Sequence, residues 1–224
     1  MGDAASTTMV DTTAPSGSMT VEPQAPRHEP VLVQEAMLLL APRPSARIVD
    51  CTVGLGGHSL AILPHLMPDG HLIAIDRDAQ ALAMAHRRLS EFAPAVTFVH
   101  DSFHRLPTIL TSLQRPRVDG LLADVGLSSL HLEDAARGFS FLREGPLDMR
   151  MDQRQSTTAA SLLARLPEAE LAQLLGTYGE ERHARRIARR IAAARHVQPV
   201  RTTTQLASLV RAASGRRGPH GRLD

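Results

Sequence analysis

Ile48-Val49-Asp50-Cys51-Thr52-Val53-Gly54-Leu55-Gly56-Gly57-His58-Ser59 runs from a short apolar segment through an acid and three glycines into residues of helical character. That layout reads as a strand, a tight turn and a helix N-terminus, where backbone N–H groups point outward and a ligand can approach closely. Glycine suits such a turn because it has no Cβ to block the ligand and tolerates positive φ. A second buried-type strand follows, His71-Leu72-Ile73-Ala74-Ile75-Asp76, and it too ends in a carboxylate. An acid at the end of the second strand of such a unit grips the ribose hydroxyls of a nucleoside-containing cofactor.

The loop is not the G-x-G-x-x-G of dinucleotide binders, because Gly54-Leu55-Gly56-Gly57-His58-Ser59 lacks the last glycine. The order D-x-T-x-G-x-G-G-H fits a pocket for S-adenosyl-L-methionine better than one for a pyrophosphate. A plain turn in an α/β domain is the bland alternative, and Asp76 weighs against it.

Outward from this centre the pattern repeats. Expected strands lie at 47–51, 72–76, 96–100 and 118–124, with helices after each of the first three. In the helix that begins at Asp78, Leu82, Ala85, Leu89 and Phe92 share one face. Alternating strands and helices imply a parallel sheet covered on both faces, with its ligand crevice at the carboxyl ends of the strands. Asp50, Asp76, Asp101 and Asp124 all fall at or just past those ends. A helix is expected before the first strand, stopped by Ala41-Pro42-Arg43-Pro44.

The flanks differ in texture. Residues 1–26 are rich in Ala, Ser, Thr, Pro and Gly and read as a disordered tail without a secretory signal. Residues 27–125 carry the Rossmann-like pattern, and 126–224 read as a helical substrate-recognition lobe. Within that lobe 126–155 is expected to be loop, followed by helices at 158–166, at 167–175 closed by Gly176, at 180–196 and at 203–213. The long helix sets Ala184, Ile187, Ile191 and Ala194 in an apolar stripe, while Arg182, Arg185, Arg186, Arg189, Arg190 and Arg195 cover much of the remainder. A solvated face is the ordinary meaning of such a run. Here acids are scarce after Glu181, so a phosphate-backbone surface is the sharper reading.

A chain of 224 residues is long enough for a proper core, and no run approaches the roughly 18 to 20 apolar residues of a membrane span. The net charge of +2 is small, so the clustering of arginines carries more meaning than the total. The single cysteine, Cys51, excludes an internal disulfide, fits a reducing compartment and reads as a small buried residue rather than a nucleophile. His100, Asp101 and His104 lack the convergence of a metal site, and neither a G-x-S-x-G elbow nor a Walker loop is present.

Several longer motifs join these signals. They are Ala74-Ile75-Asp76-Arg77-Asp78, Asp124-Val125-Gly126-Leu127-Ser128-Ser129, Arg137-Gly138-Phe139-Ser140-Phe141, the run Gly145-Pro146-Leu147-Asp148-Met149-Arg150-Met151-Asp152, and Tyr178-Gly179-Glu180-Glu181-Arg182. Together with the glycine loop they resemble the bacterial 16S ribosomal RNA cytosine-N4 methyltransferase family, called RsmH or MraW, over 28–224. The resemblance implies a class I methyltransferase fold with an inserted helical lobe, and a cytoplasmic enzyme acting on the small ribosomal subunit. It places cofactor contacts on Gly56, Gly57, His58, Asp76, Phe103 and Asp124, and on His131, which stands where the family usually has glutamine. Asp124 or a group on the Ser128-Ser129 loop is the candidate acceptor for the amine proton, although the amino-methyltransferase pattern Asp-Pro-Pro-Tyr is absent after the fourth strand. Neither membrane nor metal is implied, and the oligomeric state stays open.

Family members continue past this point with strands that complete the sheet. Four strands followed only by helices would leave the last as an exposed edge. The expectation is a chain that keeps most cofactor-contacting residues but is unstable or not fully active. A noncatalytic remnant that retains RNA or cofactor binding is the second reading. A third, an NAD-dependent oxidoreductase, shares the strand-end acid but not the glycine spacing.

Overall fold

A computed structural model describes residues 30–214. The expected tail over 1–26 and the chain beyond Ser214 lie outside the described residues. Helix α1 (Val33–Leu40) ends at Ala41, which takes a left-handed φ of 43° while its N–H bonds to the Met37 carbonyl. Then follow β1 (Arg47–Asp50), α2 (Gly57–Leu66), β2 (His71–Asp76), α3 (Ala79–Arg88), β3 (Val96–His100), α4 (Leu106–Ser112) and β4 (Gly120–Leu122). All strand pairings are parallel and the order is β3-β2-β1-β4, the Rossmann-like α/β arrangement expected.

The central strands β1 and β2 are buried on both faces and so read as near-continuous apolar runs, whereas β3 is partly covered and Leu121 of β4 is half-exposed. Ile48, Leu72 and Ala74 face α1, α2 and α3 through Met37, Leu40, Ile62, Leu63, Leu66, Ala85 and Leu89. Val49, Ile73 and Ile75 face the other way and are covered by Ile109, Leu106 and Leu110 of α4. Each such side chain, once fully buried, contributes about 1.5–3 kcal/mol. Cys51 belongs to this second layer, and burial pushes its thiol up to about 11. It is packing, as the sequence suggested.

Strand β4 is shorter than expected, three residues in place of seven. Side chains take over its ladder at both ends. Asp119 turns its carboxylate back to the Arg47 N–H (2.8 Å), and the Asp124 N–H donates to Thr52 Oγ1 (2.7 Å).

Beyond β4 the expected loop contains a short helix, α5 (Ser129–Glu133). Its start was hidden because the third helical position carries histidine, where a capping box usually has Glu or Gln. The Ser128 N–H donates to His131 Nδ1 at 3.1 Å and does the same work. Helices α6 (Ala159–Arg165), α7 (Glu168–Gly179), α8 (Ala184–Val197) and α9 (Thr203–Ser214) complete the described chain. They share a third core of Leu171, Ile187, Ala188, Ile191 and Ala213.

Two boundaries differ from expectation. Helix α7 runs through Gly176 because that glycine is a crossing point, where an added Cβ would lie 3.8 Å from the Ala184 Cβ. The break comes at Glu180, whose φ is 49°, and α8 starts only after the Glu181 carboxylate accepts the His183 N–H at 2.6 Å. The connection before α6 is fastened to the start of α9: Leu147 N–H donates to Arg201 O at 2.8 Å and Thr203 N–H to Gly145 O at 3.0 Å.

Candidate functional site

The β1–α2 turn is built on backbone conformations that side chains disfavour. Gly56 has φ 80° and opens α2 without any side-chain cap, leaving the first N–H groups of that helix free for other partners. Gly57 is required by packing instead, since a Cβ there would sit 2.8 Å from Pro30 Cγ. Beneath the turn lies Asp50, 1% exposed, which accepts from Ser59 Oγ at 2.7 Å and from Thr52 N–H at 3.2 Å. Burial raises its pKa, against the pull of those two bonds. Asp50 is thus an internal strut, unlike the other three strand-end acids, which line a cavity at the carboxyl edge of the sheet.

That cavity encloses about 460 Å³ and is lined by Thr52, Gly54, Gly57, His58, Asp76, Phe103, Asp124 and His131 among others. Gly56, expected among the contacts, is absent from the lining and packs toward Leu89 behind the turn. Asp76 is held from both sides, its Oδ2 accepting from Gly54 N–H (2.8 Å) and its Oδ1 from Asp78 N–H (2.9 Å). Burial raises its pKa, and the two backbone bonds offset only part of that. Phe103 follows β3 and leaves 39% of its surface exposed. Asp124, half-exposed, stands with Oδ2 4.0 Å from His58 Nδ1, while His58 Nε2 is 2.9 Å from the Val31 carbonyl.

His131 reaches the cavity wall, but both of its ring nitrogens are committed. Nδ1 accepts from Ser128 N–H, so Nε2 carries the proton and donates to Asp78 Oδ2 at 2.7 Å. It lines the cavity with both ring nitrogens already engaged, so what it presents to that space is the carbon edge of the ring. Its acceptor, Asp78, also takes Arg137 Nη2 at 2.6 Å, and the same nitrogen donates to the carbonyls of Arg150 and Met151 at 3.0 Å each. Burial would raise the pKa of Asp78, but the hydrogen bonds from His131 and Arg137 outweigh it and hold the carboxyl far below its ordinary range. Thr52 and Met151 also line the cavity and carried no signal in the sequence as site residues. Met151 is brought there by Arg137, from 14 residues away.

His100 and His104 are each spent locally, on the Arg77 carbonyl and on Ser102 Oγ. Among the described residues no group of three His, Cys, Asp or Glu could hold a metal ion, and no helix is long and apolar enough to cross a membrane.

The arginines of α8, with Arg182 just before it, divide into three sets. Arg182, Arg185, Arg186 and Arg189 line a groove of about 900 Å³ against α7, and Arg189 stands 3.7 Å from Glu168. Arg190 is exposed outside that groove. Arg195 is consumed internally, donating to the Leu163 and Leu166 carbonyls at 2.6 Å each and so closing α6.

Comparison with known proteins agrees with this architecture. Ribosomal RNA small subunit methyltransferase H of Thiobacillus denitrificans is 47% identical over 194 residues, covering 87% of this chain and 61% of that protein. The proteins of the same name from Syntrophotalea carbinolica (47% identical, 84% of this chain, 60% of that one) and Streptomyces avermitilis (43%, 83% and 59%) align similarly. The chain thus spans about 60% of the length of the curated relatives it matches. Residues 25–221 match a single family description, and on that match and these identities the chain belongs to the MraW methylase family.

Proposed function

We propose that this chain forms the cofactor pocket and part of the RNA-binding surface of an S-adenosyl-L-methionine-dependent methyltransferase, one that acts on N4 of a cytidine in 16S ribosomal RNA. The observation that carries the reading is Asp76. Its carboxylate is fixed by two backbone N–H groups, faces the cavity and keeps lone pairs for two ribose hydroxyls. Gly57 and His58 would meet the methionine portion at the uncapped start of α2, and Phe103 would lie beside the adenine ring. The names of the relatives support a ribosomal RNA substrate, and with it a cytoplasmic site of action.

When bound, the cofactor supplies a methyl group already activated by its sulfonium. The chain's task is to bring the cytosine amine in line with that methyl at about 3 Å. The amine is a weak nucleophile because its lone pair is delocalised into the ring. Asp124, half-exposed at the cavity, would accept a hydrogen bond from one amine N–H and take that proton as nitrogen gains the methyl carbon. The target base has to leave its stack to reach this point. Arg182, Arg185, Arg186, Arg189 and Arg190 would contact the surrounding RNA.

Calorimetric titration of the 224-residue chain with S-adenosyl-L-methionine, with NAD as control, tests the pocket. Binding of the first alone is expected, and binding of NAD alone would overturn the assignment. The catalytic role is tested by Asp124→Asn. Cofactor affinity is expected to persist while methyl transfer to small subunits falls about 10²–10⁴-fold, and undiminished transfer would remove Asp124 from the mechanism.

A further inference from the structure

The sequence motifs over 137–141 and 145–152 contribute a single residue, Met151, to the lining of the cavity. The rest of them meets behind it. The Met149 N–H donates to the Arg137 carbonyl at 3.0 Å, and Arg137 Nη2 returns to the carbonyls of Arg150 and Met151 at 3.0 Å each. Gly138, with φ 76°, lets the two backbones cross, since a Cβ there would run into the Pro146 carbonyl. Arg137 thus grips three consecutive residues, once through its backbone and twice through its side chain.

That grip goes with a conformation the loop would not choose by itself. Met149 takes a φ of 60°, left-handed backbone in which a residue with a Cβ is strained. It is 46% exposed and absent from the cavity lining, so neither packing nor a ligand contact of its own explains the strain. The turn comes immediately before the two carbonyls that face one guanidinium nitrogen.

The other arm of Arg137 leads to the acid assigned to the ribose. Nη2 also donates to Asp78 Oδ2 at 2.6 Å, and Nη1 reaches Gln80 Oε1 at 3.3 Å. Asp78 Oδ1 caps α3 by accepting the Gln80 and Ala81 N–H groups, while the Asp78 N–H holds Asp76 Oδ1 at 2.9 Å. Arg137 itself is 3% exposed and does not line the cavity. It bonds Met151 directly and reaches Asp76 through Asp78.

We propose that Arg137 is the positioning residue of the cofactor cavity, setting the Asp76 carboxylate through Asp78 and the Met151 side chain through the left-handed turn at Met149. The proposal rests on the methyltransferase reading and deepens it by naming a residue that touches no ligand yet sets the affinity for one. A guanidinium suits the task because its planar fork carries its donors in fixed directions, whereas an ammonium is a point charge on a flexible stem. Lining groups held in place beforehand need not be ordered when the ligand arrives.

The test is calorimetric titration of the full 224-residue chain and its variants with S-adenosyl-L-methionine, each checked for folding by urea denaturation. Arg137→Lys keeps a cation for Asp78 but not the fork, and should weaken binding about tenfold, the scale of coupling within one hydrogen-bond network. Arg195→Lys breaks the same kind of arginine-to-carbonyl clip outside the cavity lining and should leave affinity within about twofold. In an Asp76→Asn background Arg137→Lys should cost less than in the unsubstituted chain, because part of its route is already broken. Met149→Val puts a β-branched residue at that left-handed φ and should weaken binding, whereas Met149→Gly, free to adopt it, should not.

Unchanged affinity in Arg137→Lys, or an equal loss in Arg195→Lys, overturns the positioning role. Full additivity with Asp76→Asn overturns the route through Asp78. Unchanged affinity in Met149→Val overturns the route through the loop, and that variant decides alone if Arg137→Lys does not fold. Failure of the methyltransferase reading looks different, because there the unsubstituted chain takes no S-adenosyl-L-methionine at all.

Discussion

The cavity at the sheet edge and the groove on the helical lobe are both lined by charged side chains, yet they hold them in opposite ways. In the cavity Asp76 is short, fixed by two backbone bonds and raised in pKa by burial. Its orientation is set before any ligand arrives, at the cost of keeping a carboxylate away from water. In the groove the guanidinium groups stand at the ends of long stems, exposed, with a single weak ion pair at one end. Ordering them has to wait for a partner. A small ligand of fixed shape needs the first arrangement, and a flexible polyanion tolerates the second. The difference predicts where substitution will be felt as lost stability, where as lost affinity and where hardly at all.

The largest effect is expected behind the cavity. Arg137→Ala leaves the buried Asp78 carboxylate without its cation, with His131 as its remaining side-chain partner, and frees the Arg150 and Met151 carbonyls. Urea denaturation should show a loss of about 3–5 kcal/mol, as for one-sided removal of a buried ion pair. A loss under about 1 kcal/mol would place this network with the exposed arginines.

Next comes Asp76→Asn, which keeps the shape of the side chain but removes its charge and one acceptor. The affinity for S-adenosyl-L-methionine should fall by about 1.5–3 kcal/mol in calorimetry, with a smaller loss of stability because the amide NH2 faces one of the two backbone N–H groups that the carboxylate accepts. Its pH dependence sharpens the contrast. Burial raises the Asp76 pKa above the ordinary 3.8, and ribose hydroxyls favour the ionised form. Affinity is therefore complete above the raised value and lost as pH falls through it, and Asp76→Asn should flatten that dependence. Stability moves in two directions over the same range. The ionised Asp50 and Asp76 disfavour the fold and are relieved on acidification, whereas Asp78, held low, contributes fully above 3.8 and loses its contribution as pH falls toward its own lower value.

The smallest of the three is Ser59→Ala, which strips Asp50 of its hydroxyl donor and leaves only the Thr52 N–H. A loss of about 1–2 kcal/mol in denaturation is expected, from a buried acceptor left partly unsatisfied. An unchanged midpoint would mean that Asp50 is protonated in the fold and needs no such donor.

The sheet was legible because its central strands are apolar on both faces and because an acid stands at or just past the end of each strand. That pattern survives in the linear sequence, and Asp76 and Asp124 could be named from it. Strand β4 was overestimated because its ladder gives way at both ends to side chains, the Asp119 carboxylate accepting the Arg47 N–H and Thr52 Oγ1 accepting the Asp124 N–H. What stayed hidden depends on partners far away in the chain. Arg137 meets Asp78 across 59 residues, and His131 meets it across 53. Nothing in local spacing distinguishes such residues from an ordinary exposed arginine or a ligand histidine. Within the arginine run, Arg195 is a helix cap for α6, which no local spacing announces.

The Arg137 guanidinium, only 3% exposed, touches the start of α3 and the backbone at residues 150 and 151 at once, while His131 fastens α5 to the same carboxylate. Three loops that are separate in sequence therefore cannot fluctuate separately. Local opening of any one breaks the bonds of the others, so their backbone amides exchange with solvent as one cooperative unit. A ligand seated against His131 and Met151 then protects all three from opening, including stretches it never touches.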